Sequence, residues 1–121
     1  MTTPKRIQLS RAAGFRLQEV SIALNGLLCV NVARPSPWGN PWRVTAELSA
    51  AEAVAKFRAA CDSGDILEFV CERWSNCDDW TMEDWLRRLR GKNLACWCDL
   101  PMPGELDICH AAVLLELANT P

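Results

Sequence analysis

The stretch Asn93-Leu94-Ala95-Cys96-Trp97-Cys98, set between Gly91 and Pro101, decides the fold. It is a short apolar run bounded by turn residues, which is the pattern of a buried strand. Upstream, Thr81-Met82-Glu83-Asp84 opens a helix with Trp85 and Leu89 on one face and Gly91 as its stop. Before it, Asp65 to Trp74 reads as another helix. Ser49-Ala50-Ala51-Glu52 is a capping box whose helix runs to about Asp62, stops at Gly64 and places Val54, Phe57 and Cys61 at helical spacing. Downstream, a loop with Pro101, Pro103 and Gly104 leads to Asp107, read as the cap of a last helix with Val113, Leu114 and Leu117 turned inward. Near the start, Val20–Leu24 and Leu27–Ala33 flank Asn25-Gly26 and read as a hairpin with a type I′ turn. Strands at both ends with three to four helices between predict one small α/β domain over residues 1–121. Its short sheet is expected to hold the hairpin and the Cys-Trp-Cys strand.

Composition narrows the function classes. Of 121 residues, half are apolar and 23% charged, as in soluble globular chains. No apolar run approaches the roughly 18 residues of a membrane span, so no membrane partner is expected. The start carries Lys5, Arg6, Arg11 and Arg16 but lacks the apolar core of a secretory signal. Seven cysteines, an odd number, do not suit a secreted disulfide framework; a cytoplasmic protein with reduced thiols is expected. Cys29, Cys61, Cys71 and Cys77 read as small packing residues. Residues 1–43 carry six basic side chains against Glu19 alone, and the remainder is acidic. Residues 1–16 therefore read as a basic segment, either a solvated arm or a phosphate contact. A pI near 5.4 argues against a broadly basic nucleic-acid binder.

Two clusters carry chemistry. Cys96, Cys98, Cys109 and His110 form a Cys₃His set, a common tetrahedral zinc arrangement, with two thiols on one strand face and two ligands at a helix start. The same residues also admit a metal-free thiol site, a Cys98–Cys109 redox pair, or packing alone. The second cluster is Arg34-Pro35-Ser36-Pro37-Trp38-Gly39-Asn40-Pro41-Trp42. Trp38 and Trp42 offer stacking faces, Arg34 a fork for phosphate, Gly39 close approach and Asn40 mixed hydrogen bonding. A rigid turn anchoring two Trp in the core would use the same residues. Arg87, Arg88, Arg90 and Lys92 read as helix-end capping and solubility charges. Trp74, Trp80 and Trp85 read as core or interface residues. No triad, phosphate-cradling glycine loop or paired-carboxylate site is present.

Lys5-Arg6-Ile7-Gln8, Arg34-Pro35 with Trp38-Gly39-Asn40-Pro41, Leu89 to Cys98, Cys109-His110-Ala111 and Leu114 to Asn119 together resemble domain-of-unknown-function family 4326. The resemblance covers nearly the whole chain. It implies a small protein of bacteria and their phages and carries no activity with it. The family often has Asp two residues after its Cys-His, where this chain has Ala112.

Two functions are expected from these residues. One is a pocket for a nucleotide or nucleic-acid-derived ligand, formed by Arg34, Trp38, Gly39, Asn40 and Trp42 with the Cys/His cluster. The other is a zinc-stabilised module that binds nucleic acid or protein without chemistry. Joint burial of the two motifs around one cavity discriminates in favour of the first. Arg34, Trp38, Asn40 and His110 are expected on one concave surface, and Arg34→Ala or Asn40→Ala is expected to spare folding and weaken binding.

Overall fold

The computed structural model describes residues 3–73 and 79–120. Trp74 and Cys77, read above as packing residues, lie outside them. In chain order the elements are β1 (Arg6–Gln8), α1 (Leu17–Asn25), β2 (Cys29–Asn31), α2 (Ala50–Ser63), α3 (Ile66–Arg73), α4 (Met82–Arg87), β3 (Asn93–Cys96) and α5 (His110–Asn119). The sheet is wholly parallel with order β1-β3-β2, so the last strand lies in the middle. All four residues of β3 are buried, as a central parallel strand covered on both faces requires. The chain is a small α/β domain, as expected.

The hairpin is corrected. Residues 17–25 are helical, and Gly26 takes a φ of 80° to donate its N–H to the Ile22 carbonyl at 2.8 Å. The positive φ that an Asn-Gly turn would demand is used instead by glycine alone, as a helix stop. Leu27 onward does supply a strand, but only over three residues and paired with β3. Within the basic segment 1–16, residues 6–8 form β1.

The capping boxes fold as read. Ser49 and Glu52 exchange hydrogen bonds at the start of α2, and Thr81 and Asp84 do so at the start of α4. Gly64 ends α2 at a φ of 85°. Phe57, Cys61, Ile66, Val70, Trp85, Leu89 and Leu114 meet in one core. Helix α5 lies against β3 and β1, with α2 and α4 packed on it. Asp107 does not cap α5; Cys109 stands at that position, and Asp107 pairs with Arg6.

Two polar arrangements fix the remaining elements. The buried Asn93 side chain donates to Ser21 Oγ at 2.7 Å, trades amide bonds with Asn25, and accepts from the Lys5 N–H. This ties α1 and the entry to β1 onto β3. The Gln18 amide donates to the Cys29 carbonyl at 2.8 Å and accepts from its N–H at 2.9 Å, which holds α1 beside β2.

Candidate functional site

Parallel strands bring their carboxyl ends to one edge, where ligands of open α/β sheets bind. Gln8 is in register with Cys96, and Asn31 with Ala95, so the segments after all three strands emerge together. A cavity of about 530 Å³ opens there.

Cys96 ends β3, and Cys98 follows two residues on. Cys109 is extended at a φ of −151°, and His110 is the first residue of α5. The change from extended to helical backbone lets these adjacent residues turn toward the same point. The Sγ atoms of Cys96, Cys98 and Cys109 lie within 4.8 Å of one another, a group that can hold a metal ion. Cys96 and Cys98 sulfurs are 3.8 Å apart. His110 Nδ1 stands 4.0 Å from Cys96 Sγ and 3.9 Å from Cys109 Sγ.

Histidine orientation follows from its far nitrogen. Nε2 lies 2.8 Å from the Val32 carbonyl, which only accepts, so Nε2 donates there and Nδ1 is the nitrogen turned toward the thiols. Phe57 packs against the ring edge-to-face at 5.3 Å. Hydrogen bonds from Cys109 and Cys98 hold the Cys96 thiol far below its usual range, and Cys109, in the same pairing, is pushed up. The three sulfurs thus form one mutually hydrogen-bonded set, where a thiolate and a bound cation would stabilise each other.

Arg6 builds the frame around these thiols. Its side chain is buried, pairs with Asp107 and donates from Nη1 to the Cys98 carbonyl at 2.8 Å and from Nη2 to the Asp99 carbonyl. One guanidinium therefore fixes both the chain leaving β3 and the chain entering α5. The basic residues of the start do not all face solvent.

All four residues of the Cys/His cluster line the cavity, together with Arg34, Asn40 and Trp42 from the proline-rich loop. Arg11, Arg43 and Trp97 complete its charged and aromatic lining, and no acidic side chain is among the described lining residues. Arg11 also stacks over Trp97 at 4.9 Å. Two expected residues stand elsewhere. Trp38 is outside this cavity and donates from its indole to the Trp85 carbonyl. Gly39 lies beneath Arg34, where an added Cβ would come within 2.8 Å of Arg34 Cγ. Asn40 is buried and holds the loop, donating to the Ala53 carbonyl at 3.2 Å and accepting from the Trp42 N–H at 2.9 Å.

Arg6, Asp107, Arg11, Arg43 and Trp97 are the parts that the sequence reading missed. Ile7 and Leu9, alternating with the polar Arg6 and Gln8, offered a weak strand signal that would have brought Arg6 to the sheet. The helix-end cations are engaged locally: Arg87 with Asp84, Arg90 with Glu83, Arg88 over Trp80 at 4.1 Å and Lys92 with the Arg88 carbonyl.

A family model described as Domain of unknown function (DUF4326) matches residues 7–120. No curated protein and no solved structure matches the chain. No helix among the described residues is long and apolar enough to cross a membrane.

Proposed function

The chain belongs to the family described as Domain of unknown function (DUF4326), and we propose that it binds a nucleotide or nucleic-acid-derived ligand in its cavity, beside a zinc ion held by the three clustered thiols of Cys96, Cys98 and Cys109, with His110, near Cys96 and Cys109, turning in as the fourth donor. One observation carries this reading: the ligand-type residues of the cluster and the phosphate-type residues of the loop line one space. Arg11, Arg34 and Arg43 supply positive charge without a lining carboxylate to compete for it. Trp42 and Trp97 supply flat faces for a base. Arg34 already donates from Nη1 to the Asn40 carbonyl at 2.9 Å, which sets its guanidinium at the mouth. Gly39 supports the pocket from below by admitting the Arg34 backbone, and Trp38 supports it through α4.

The donor chemistry favours zinc. Three thiolates and one imidazole are a soft set, and tetrahedral Zn–S bonds of about 2.3 Å imply sulfur separations of about 3.8 Å. The Cys96–Cys98 separation of 3.8 Å fits. A reducing compartment such as the cytoplasm keeps these sulfurs available. The alternative, a zinc-stabilised module that binds nucleic acid or protein without chemistry, is less well supported, because the cluster and the loop line one cavity rather than leaving a closed metal site beside a solvent-facing basic surface.

Full-length protein purified without chelators should carry about one zinc equivalent and lose stability with a chelator. In calorimetric titrations with nucleoside monophosphates and short single strands, at least one should bind, and Arg34→Ala should weaken it by about tenfold or more with the thermal midpoint little changed. Protein without metal would overturn the zinc centre. Absence of binding across the panel would overturn the pocket.

A further inference from the structure

Four protein donors seal a zinc ion in a structural site, whereas an open position marks a reactive one. The four donors here are unequal. Cys96, Cys109 and His110 are 5%, 1% and 6% exposed, while Cys98 is exposed. The three buried donors are held by regular structure: Cys96 by pairing with β1, Cys109 and His110 by the start of α5, and the imidazole by Val32. Cys98 lies past the end of β3, outside regular structure; its carbonyl is held by Arg6, and its exposed sulfur is held by the neighbouring thiols rather than by a helix or a strand. Its sulfur is close to Cys96 yet lines the cavity that Arg11, Arg34 and Arg43 surround.

We propose that Cys98 is the exchangeable ligand of this centre. Cys96, Cys109 and His110 hold the metal, and a donor atom of the molecule in the cavity displaces the Cys98 thiolate. In that exchange the metal–sulfur bond breaks, the released sulfur takes a proton from water, and a lone pair of the incoming donor forms the new bond. No electron is transferred. The cavity and the metal are then one site, with Cys98 as the gate between its sealed and open forms. The inference rests on the metal reading above.

Cobalt(II) loading of the full chain tests it, since the sulfur-to-cobalt absorption counts bound thiolates. Cys98→Ser should still bind one cobalt, with an affinity loss no larger than the roughly tenfold that removing a supporting contact costs, and with one thiolate fewer in the spectrum. Cys96→Ser and Cys109→Ser should lose more than about a hundredfold. In the unsubstituted, cobalt-loaded chain, iodoacetamide should modify Cys98 before Cys96 and Cys109, located by peptide mass spectrometry, while cobalt stays bound. That labelling does not depend on any variant folding. If Cys98→Ser loses cobalt as completely as Cys96→Ser, or if Cys98 resists labelling in the loaded chain, exchange at Cys98 is overturned while the metal site stands. If the unsubstituted chain binds no cobalt, both fall.

Discussion

Trp38 and Trp85 hold each other's neighbourhood by indole hydrogen bonds that run in opposite directions. Trp38 Nε1 donates to the Trp85 carbonyl at 2.9 Å, and Trp85 Nε1 donates to the Pro37 carbonyl at 3.1 Å. Trp85 is fully buried, and Trp38 also packs against Trp80 with ring centroids 6.1 Å apart. The proline-rich loop is therefore docked on α4 by a contact that uses Trp38 for support. Trp38→Phe keeps an aromatic ring but leaves a carbonyl without its donor, at a cost of about 1–3 kcal/mol in urea unfolding. Nucleoside monophosphate affinity should be unchanged in the fraction that folds. A loss of affinity at full stability would place Trp38 in the pocket after all.

Gly39→Ala tests the close approach beneath Arg34. The new Cβ would stand 2.8 Å from Arg34 Cγ and 3.0 Å from Arg34 Cα, so backbone as well as side chain must shift. The expected cost is about 1–3 kcal/mol of overpacking, with ligand affinity reduced because Arg34 moves. A variant as stable as the unsubstituted chain would contradict the contact.

Asn40→Ala and Arg34→Ala should part company. Asn40 bonds two backbone groups from a buried position, and its loss should cost about 1–3 kcal/mol, contrary to the expectation from sequence that folding is spared. Arg34 is exposed and its side chain, among the described residues, bonds only the Asn40 carbonyl, where solvent can replace it, so its removal should cost less than about 1 kcal/mol in urea unfolding while binding weakens. Equal destabilisation by the two variants would refute this division.

What was legible in the sequence is what local chemistry decides. Ser49 with Glu52 and Thr81 with Asp84 announce α2 and α4, because each cap is settled within four residues. Asn25-Gly26 misleads for the same reason: positive φ serves a hairpin and a helix stop alike, and only pairing with distant β3 decides between them. That Cys96, Cys98, Cys109 and His110 share a cavity with Arg34, Asn40 and Trp42 was expected from the residue types, but not that Trp38 and Gly39 stand outside it. The shared cavity follows from strand order, which puts the last strand between the first two. Arg6 and Asp107 are 101 residues apart, and nothing in either neighbourhood marks the pair.

Alkaline pH should destabilise the fold through two buried thiols. Burial, followed by nearby Asp62, pushes Cys61 up to about 12, and burial pushes Cys29 up to about 11. Both favour the protonated form in the folded state, so their contribution is complete below the ordinary thiol value of 9.0 and is lost as pH rises toward 11 and 12. Urea midpoints should fall between about pH 9 and pH 11, and Cys61→Ala should flatten that slope. An unchanged slope in Cys61→Ala would remove Cys61 as a cause.

Gln18 has a consequence for assembly. Asn93 bonds to the Leu28 carbonyl and Val32 bonds to the Ala95 carbonyl, so by alternation the N–H and C=O of Cys29 point away from β3, toward the open side of β2. That is where a strand from another molecule would add, and the Gln18 amide already occupies both groups in the manner of a one-residue strand. A second chain could extend the sheet at this margin only by evicting a helix side chain that mimics it. Gln18 thus serves as a built-in stopper against uncontrolled edge-to-edge growth.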